Sequence, residues 1–437
     1  MIRKVAGQPS LKGEIELPGD KSIAHRAVMF NAIAKGNARI TNFCGGADCL
    51  ATVGCIRALG VEVRRSRASP GTVDVQGVGD SGFQEPKDVL NARNSGTTMR
   101  LLAGLLSGQP LLAIITGDSS LRSRPMGRVV EPLRLMGADI QGRNDGRLAP
   151  LVIRGSHLRG IRHTLPVASA QVKSAILLAG LFADGETSVL EPGLTRDHTE
   201  RMLAQMGAPL KREGTLVTVS RPDTPLHPLT LRLPGDISAA AYWLVAGVIH
   251  PKARIKVTNC GINPTRTGVL DALQAMGAKL TINRKGATGG EPVADIVAEP
   301  SQLKATEIYG DMVVRAIDEI PVLAVAACFA RGTTVVRGAA ELRVKETDRI
   351  AYTAQELSKM GARIEELPDG MLIHGVGRLR GAEVNSHGDH RLAMSLAIAG
   401  LAAEGTTTIA GAEAASVSYP TFWSDLETVA GKPRTRG

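Results

Sequence analysis

LPGDKSIAHRA, Leu17 to Ala27, and LPGDISAAAYW, Leu233 to Trp243, open two helical stretches with one shared tetrapeptide, and only the first carries Lys21, His25 and Arg26. Each continues through an Ala-rich run and a turn into a Thr/Ile/Val segment, as in SIAHRAVMFNAIAKGNARIT from Ser22 and SAAAYWLVAGVIHPKARIKV from Ser238. Further copies start at Ser95, Ser169, Glu319 and His390, at intervals of roughly seventy to eighty residues. A second series runs in step. ALGVEV at Gly60, LMGADI at Gly137, QMGAPL at Gly207, AMGAKL at Gly277 and KMGARI at Gly361 each put a glycine where a helix gives way to a strand, and Gly431 closes the series. The chain therefore reads as α/β, one helix, strand, helix, strand module used six times. The long interval after Gly277 contains NRKGATGGEP, which reads as a Gly-rich surface insertion.

At 437 residues the chain exceeds what one core serves, so two domains are expected, and 43% apolar residues can fill them. A formal charge of +10 suits nucleic acid, a membrane surface or acidic small molecules. Only 3% of residues are aromatic and no five like charges adjoin, which argues against nucleic acid and for small anions in a pocket. The amino terminus has no continuous apolar core that could serve as a signal peptide, and no uninterrupted apolar run approaches a membrane span, so a soluble cytoplasmic protein is expected. The five cysteines lack Cys-x-x-Cys spacing, which speaks against disulfides and structural zinc. GVGDSG at Gly77 imitates a dinucleotide fingerprint, but Pro86 follows where a long helix should begin, and a similar turn recurs at Gly375.

Helix starts offer unpaired N–H groups and the positive end of a dipole, so Ser22, Ser95 and Ser169 read first as caps. Their neighbours suggest more: Lys21 and Arg26 at one start, Asn94, Gly96 and Arg100 at another, Gln171 and Lys173 at a third, with Arg122 and Arg124 in LRSRPM. Such ends suit phosphate or carboxylate groups. In ELRVKETDR a helical reading makes Lys345 and Arg349 i,i+4 neighbours that call for an anion between them, whereas a solvated face would pair Glu346 with Arg349. Asp318 and Glu319 head an apolar helix with Pro321 in its first turn, where a carboxylate near cations is suited to accept a proton. In HGDHRLAMS, His387 and His390 lack a zinc-site spacing, and Arg391 draws the interest instead.

LPGDKSIAHRA, NSGTTMRLL, RSRPMGRVVEPLRLMGA, SAQVKSAILLAGL, TRDHTERML, IDEIPVLAVAA, ELRVKETDR and GDHRLAMS, in this order over nearly the whole chain, resemble the EPSP synthase family of enolpyruvyl transferases. The resemblance implies a two-domain inside-out α/β barrel of six βαβαββ repeats, three per domain, with residues 1–19 and 237–437 in one domain and 20–236 in the other. It implies ligands in an interdomain cleft, closure on binding, and chain crossings at the two LPGD stretches, the second copy keeping only a packing role. The implied reaction moves the enolpyruvyl group of phosphoenolpyruvate to the 5-hydroxyl of shikimate 3-phosphate by addition and elimination, releasing phosphate on the way to chorismate and the aromatic amino acids. It needs no cofactor and no metal, and the family is mostly monomeric.

By the same resemblance, Lys21, Ser22, Arg26, Ser169, Gln171, Asp318 and Lys345 would hold shikimate 3-phosphate. Lys21, Gly96, Arg124, Gln171, Arg349 and Arg391 would hold phosphoenolpyruvate. Asp318 would take the hydroxyl proton, and Glu346 or Lys21 would serve the methylene carbon. Ala170 stands where many relatives have Ser, with Arg196 as the substitute charge, and VSYPTF lacks a Lys that some members carry. A sister family acting on UDP-N-acetylglucosamine mostly places a Cys on the loop here formed by Leu121 to Arg124, and this chain has none between Cys55 and Cys260. A non-catalytic basic scaffold would instead spread its charge over an outer face.

Overall fold

A computed structural model describes residues 1–66 and 68–431. The chain divides into two compact units. Unit 1 comprises Met1–Pro18, Pro234–Ala287 and Pro292–Gly437, and unit 2 comprises Gly19–Leu233 with Thr288–Glu291. Each has its own apolar core, one running from Val5 to Val429 and the other from Ile23 to Leu233.

Three helices lie at the heart of each unit: Lys21–Ile33, Gly96–Ser107 and Ala170–Gly180 in unit 2, and Ile237–Ile249, Ile320–Cys328 and His390–Ala402 in unit 1. Helices that are apolar on nearly all sides belong inside, and these six are buried along almost their full length. Close approach has a local cause. A Cβ on Gly104 would sit 2.2 Å from the Ala175 carbonyl oxygen, so glycine lets the Gly96 and Ala170 helices touch backbone to backbone.

Sheets enclose these helices, which makes each unit an inside-out α/β fold. In one repeat, Leu90–Asn91 pairs in parallel with Leu112–Thr116, which pairs antiparallel with Leu148–Arg154, itself antiparallel to Asp139–Arg143. The same order recurs from Arg162–Thr164 and from Glu307–Ile308. Among the described residues there are six separate, open sheets, five of four strands and one of three. The glycines after the second helices, Gly60, Gly137, Gly207, Gly277, Gly361 and Gly431, all have φ between 78° and 100°, a left-handed C′ position that terminates each helix.

The two LPGD copies mark an exchange of strands. Leu11–Glu16 precedes the Lys21 helix of unit 2 but pairs in parallel with Ala253–Gly261 of unit 1. Leu231–Arg232 precedes the Ile237 helix of unit 1 but pairs in parallel with Lys35–Thr41 of unit 2. The chain leaves unit 1 between Pro18 and Gly19 and returns between Leu233 and Pro234. In the sixth sheet the amino-terminal strand Ile2–Ala6 lies antiparallel to Thr406–Ala410, in the place that a later hairpin strand fills elsewhere.

Two expectations need correction. NRKGATGGEP is exposed over residues 283–287, as expected of a surface segment, but it is not inserted between elements: it continues the long strands Lys279–Thr288 and Glu291–Glu299, which turn at Gly289 and Gly290 with φ of 54° and 79°. The tip, Thr288–Glu291, belongs to unit 2, where Glu291 Oε1 meets His198 Nδ1 at 2.7 Å. Nor is the second LPGD helix mere packing. Ser238 hydrogen-bonds Glu319 and accepts from Arg266 Nη2 at 2.6 Å, while Arg266 also approaches Asp236 at 3.4 Å, all of them buried. No helix among the described residues is long and apolar enough to cross a membrane.

Candidate active site

Unit 2 gathers its candidates at the starts of its three central helices. Asp20, not Ser22, caps the first, accepting from the Ile23 N–H at 2.9 Å, whereas Ser95 and Ser169 do cap the other two. Lys21 Nζ lies 3.2 Å from Asp48 Oδ2, in the first turn of the Ala47–Ala58 helix. His25 is buried against Thr52; burial first, then Lys21 and Arg26, press its pKa well below the usual value, so it stays neutral. Thr52 also bonds Thr98, which ties the first helix start to the second.

Arg100, which was absent from the expected ligand set, joins the second start to the third. It donates to Gln171 Oε1, and Gln171 Nε2 donates to Thr97 at 2.9 Å, so the carboxamide has one orientation. Arg124 donates to Asn94 Oδ1 at 2.6 Å, and Asn94 in turn donates to Asp118 at 2.8 Å. Gly96 lies beside both arginines: a Cβ there would come 3.2 Å from Arg100 and 3.5 Å from Arg124. Arg196 is half-buried and close enough to Arg26 to act on it as a like charge. Lys173 is different. It is fully buried between Glu191 at 2.8 Å and Glu200 at 2.6 Å, an internal counter-ion and not a ligand candidate.

Unit 1 brings Asp318, Lys345, Glu346 and Arg349 into one cluster. Arg349, 1% exposed, meets Asp318 Oδ1 at 3.2 Å, Glu346 Oε2 at 2.6 Å and Asp389 Oδ2 at 2.8 Å. Burial opposes its charge, but Asp389, Glu346 and Asp318 outweigh that and raise its pKa above the ordinary value. Lys345 Nζ stands 3.7 Å from the same Asp318 oxygen.

The helical reading of Lys345 and Arg349 fails. Ala340–Val344 forms a tight turn of helix, Lys345 is extended, and Asp348 caps a new helix that starts at Arg349. The Glu346–Arg349 pair exists, yet on a buried guanidinium and not on a solvated face. Asp389 caps the His390 helix by accepting from the Arg391 N–H at 2.7 Å. Arg391 is buried beside Tyr242, whose phenol burial pushes up to about 12 while Arg391 pulls in the opposite direction. His387 stacks on Tyr352 at 3.8 Å between ring centres and bonds Glu356.

The EPSP synthase (3-phosphoshikimate 1-carboxyvinyltransferase) family model matches residues 5–426. A 3-phosphoshikimate 1-carboxyvinyltransferase from Herpetosiphon aurantiacus is 54% identical over 425 residues, 97% of this chain and 98% of that protein. One from Gloeobacter violaceus is 56% identical, covering 96% of each chain. Among solved structures, the EPSP synthase of Acinetobacter baumannii superposes with a TM-score of 0.87 at 46% identity, over 98% of both chains. The enolpyruvyl transferase NikO from Streptomyces tendae, at 21% identity and a TM-score of 0.78 over 98% of this chain and 97% of that one, shares the fold. The chain belongs to the EPSP synthase family.

Proposed function

We infer that this protein transfers the enolpyruvyl group of phosphoenolpyruvate to the 5-hydroxyl of shikimate 3-phosphate, releasing phosphate. The observation that carries the reading is the unit 1 cluster, in which Asp318 stands 3.2 Å from Arg349 and 3.7 Å from Lys345 with Glu346 on the same guanidinium. Carboxylates for proton transfer and cations for acidic substrates are thus held on adjacent groups.

In this reading Lys21, Ser22, Arg26, Ser169, Gln171, Arg196, Asp318 and Lys345 hold shikimate 3-phosphate, while Lys21, Gly96, Arg124, Gln171, Arg349 and Arg391 hold phosphoenolpyruvate. The methylene carbon of phosphoenolpyruvate takes a proton from Glu346 or Lys21, and the 5-oxygen adds to the neighbouring carbon as Asp318 accepts the hydroxyl proton. The tetrahedral adduct then loses phosphate and a methyl proton, which restores the carbon–carbon double bond. Fixed cations stabilise the charge on the phosphate throughout. No cofactor is required, and the enzyme acts as a cytoplasmic monomer.

Asp318→Ala is the test. It should bind shikimate 3-phosphate within about threefold of the parent and lose turnover by about a hundredfold or more; a variant that keeps near-parental kcat removes Asp318 from this role.

A further inference from the structure

Arg26 is 3% exposed, and each hydrogen bond that fixes it is donated to a neutral group. Nε donates to Thr199 Oγ1 at 2.7 Å, Nη1 to the Ser22 carbonyl at 3.0 Å, and Nη2 to Ser174 Oγ at 2.9 Å. The hydroxyls behind it form one directed chain. Ser174 donates to the Ala170 carbonyl at 2.6 Å, so the 2.7 Å bond between Ser174 and Thr199 runs from Thr199 to Ser174. Both oxygens are thereby left as acceptors for a guanidinium that can only donate. Of its five N–H groups, one on Nη1 and one on Nη2 remain for a ligand.

The charge on Arg26 is also left available. Burial is the largest influence and lowers its pKa to about 10; Glu200, Asp20 and Glu291 attract it only through space, and Arg196 repels it. Glu200 is itself engaged by Lys173. Arg349 shows the contrast, since three carboxylates touch it directly. A buried cation in a neutral cage favours an incoming anion more than one whose charge is already matched.

We propose that Thr199, backed by Ser174, is a positioning residue for the acceptor substrate. By accepting from Nε it fixes the plane of the Arg26 guanidinium and aims the two remaining N–H groups at one acidic group of shikimate 3-phosphate, without neutralising the charge. The proposal rests on Arg26 holding that substrate, as inferred above.

Thr199→Val keeps the shape of the side chain and removes the acceptor. Calorimetric titration of the full-length enzyme with shikimate 3-phosphate should show binding weakened by about ten- to a hundredfold, the size expected for a hydrogen bond to a charged group. Thr199→Ser should stay within about twofold of the parent, and the KM for phosphoenolpyruvate should move by less than about twofold in either variant. Ser174→Ala should weaken shikimate 3-phosphate binding in the same direction, which keeps the idea testable if Thr199→Val does not fold. In an Arg26→Ala background Thr199→Val should add no further loss. Parental affinity in folded Thr199→Val, a Thr199→Ser variant as weak as Thr199→Val, or a further loss in the Arg26→Ala background would overturn the positioning role. Undiminished binding by Arg26→Ala alone would overturn the assignment of Arg26 beneath it.

Discussion

Arg349 Nη1 lies 3.2 Å from Asp318 Oδ1 while its Nη2 and Nε hold Glu346 and Asp389, so one buried guanidinium joins three carboxylates from three separate stretches of chain. Removing it leaves those carboxylates facing one another. Arg349→Met should therefore lose about 3–5 kcal/mol of stability, the range for breaking a buried ion pair from one side, together with catalytic activity. Urea unfolding followed beside turnover checks both, and a variant as stable as the parent would contradict the clamp.

Two lysines paired with carboxylates should separate by function. Lys173 is enclosed by Glu191 and Glu200 with a fully buried side chain, whereas the Lys345 side chain is 30% exposed beside Asp318. Lys173→Met should lower the unfolding midpoint strongly, on the scale of about 3–5 kcal/mol. Lys345→Met should leave the midpoint close to the parent value and raise the KM for shikimate 3-phosphate by about tenfold or more. Equal unfolding midpoints in the two variants would refute the distinction.

Gly96 has no positive φ, so alanine meets no backbone strain there, but its methyl would press on Arg100 at 3.2 Å and Arg124 at 3.5 Å. Gly96→Ala should fold normally and raise the KM for phosphoenolpyruvate by about tenfold, as a misplaced binding group does, while shikimate 3-phosphate binding stays within about twofold. Steady-state kinetics with each substrate varied in turn gives the answer.

Glu356 supplies a dependence on acid. Burial raises its pKa, but Lys359, His387 and the Asn385 N–H outweigh that and hold the carboxyl below its ordinary 4.5. A carboxyl whose pKa is lower folded than unfolded stabilises the fold above the unfolded value, and the contribution disappears as pH falls through the folded one. The difference in unfolding midpoint between the parent and Glu356→Gln should be full at pH 7 and shrink below pH 4.5. A difference that does not change with pH would contradict the assignment.

The repeat could be read from sequence because it depends on local rules: apolar helices that must be buried on all sides, and glycines such as Gly60 and Gly361 that end helices in a left-handed conformation. The caps Ser95 and Ser169 were legible for the same reason. What stayed hidden depends on partners distant in sequence. Lys173 resembled a ligand because Glu191 and Glu200 arrive from other elements, and Asp48, Arg100 and Thr199 carry no local signal of the groups they meet. Lys345 and Arg349 looked like helical neighbours until Asp348, a strong cap, began the helix after Lys345. That aspartate was visible in KETDR and could have placed the boundary. The NRKGATGGEP glycines read as a surface insertion, but two of them form only the turn between long strands.

Phosphate release from phosphoenolpyruvate, followed with shikimate 3-phosphate, with UDP-N-acetylglucosamine or with no acceptor, tests the central assignment most directly. One phosphate per enolpyruvyl ether formed, with shikimate 3-phosphate as the only productive acceptor, is the expected result. Release with the UDP-sugar instead, or no release with any acceptor from folded protein, would contradict it.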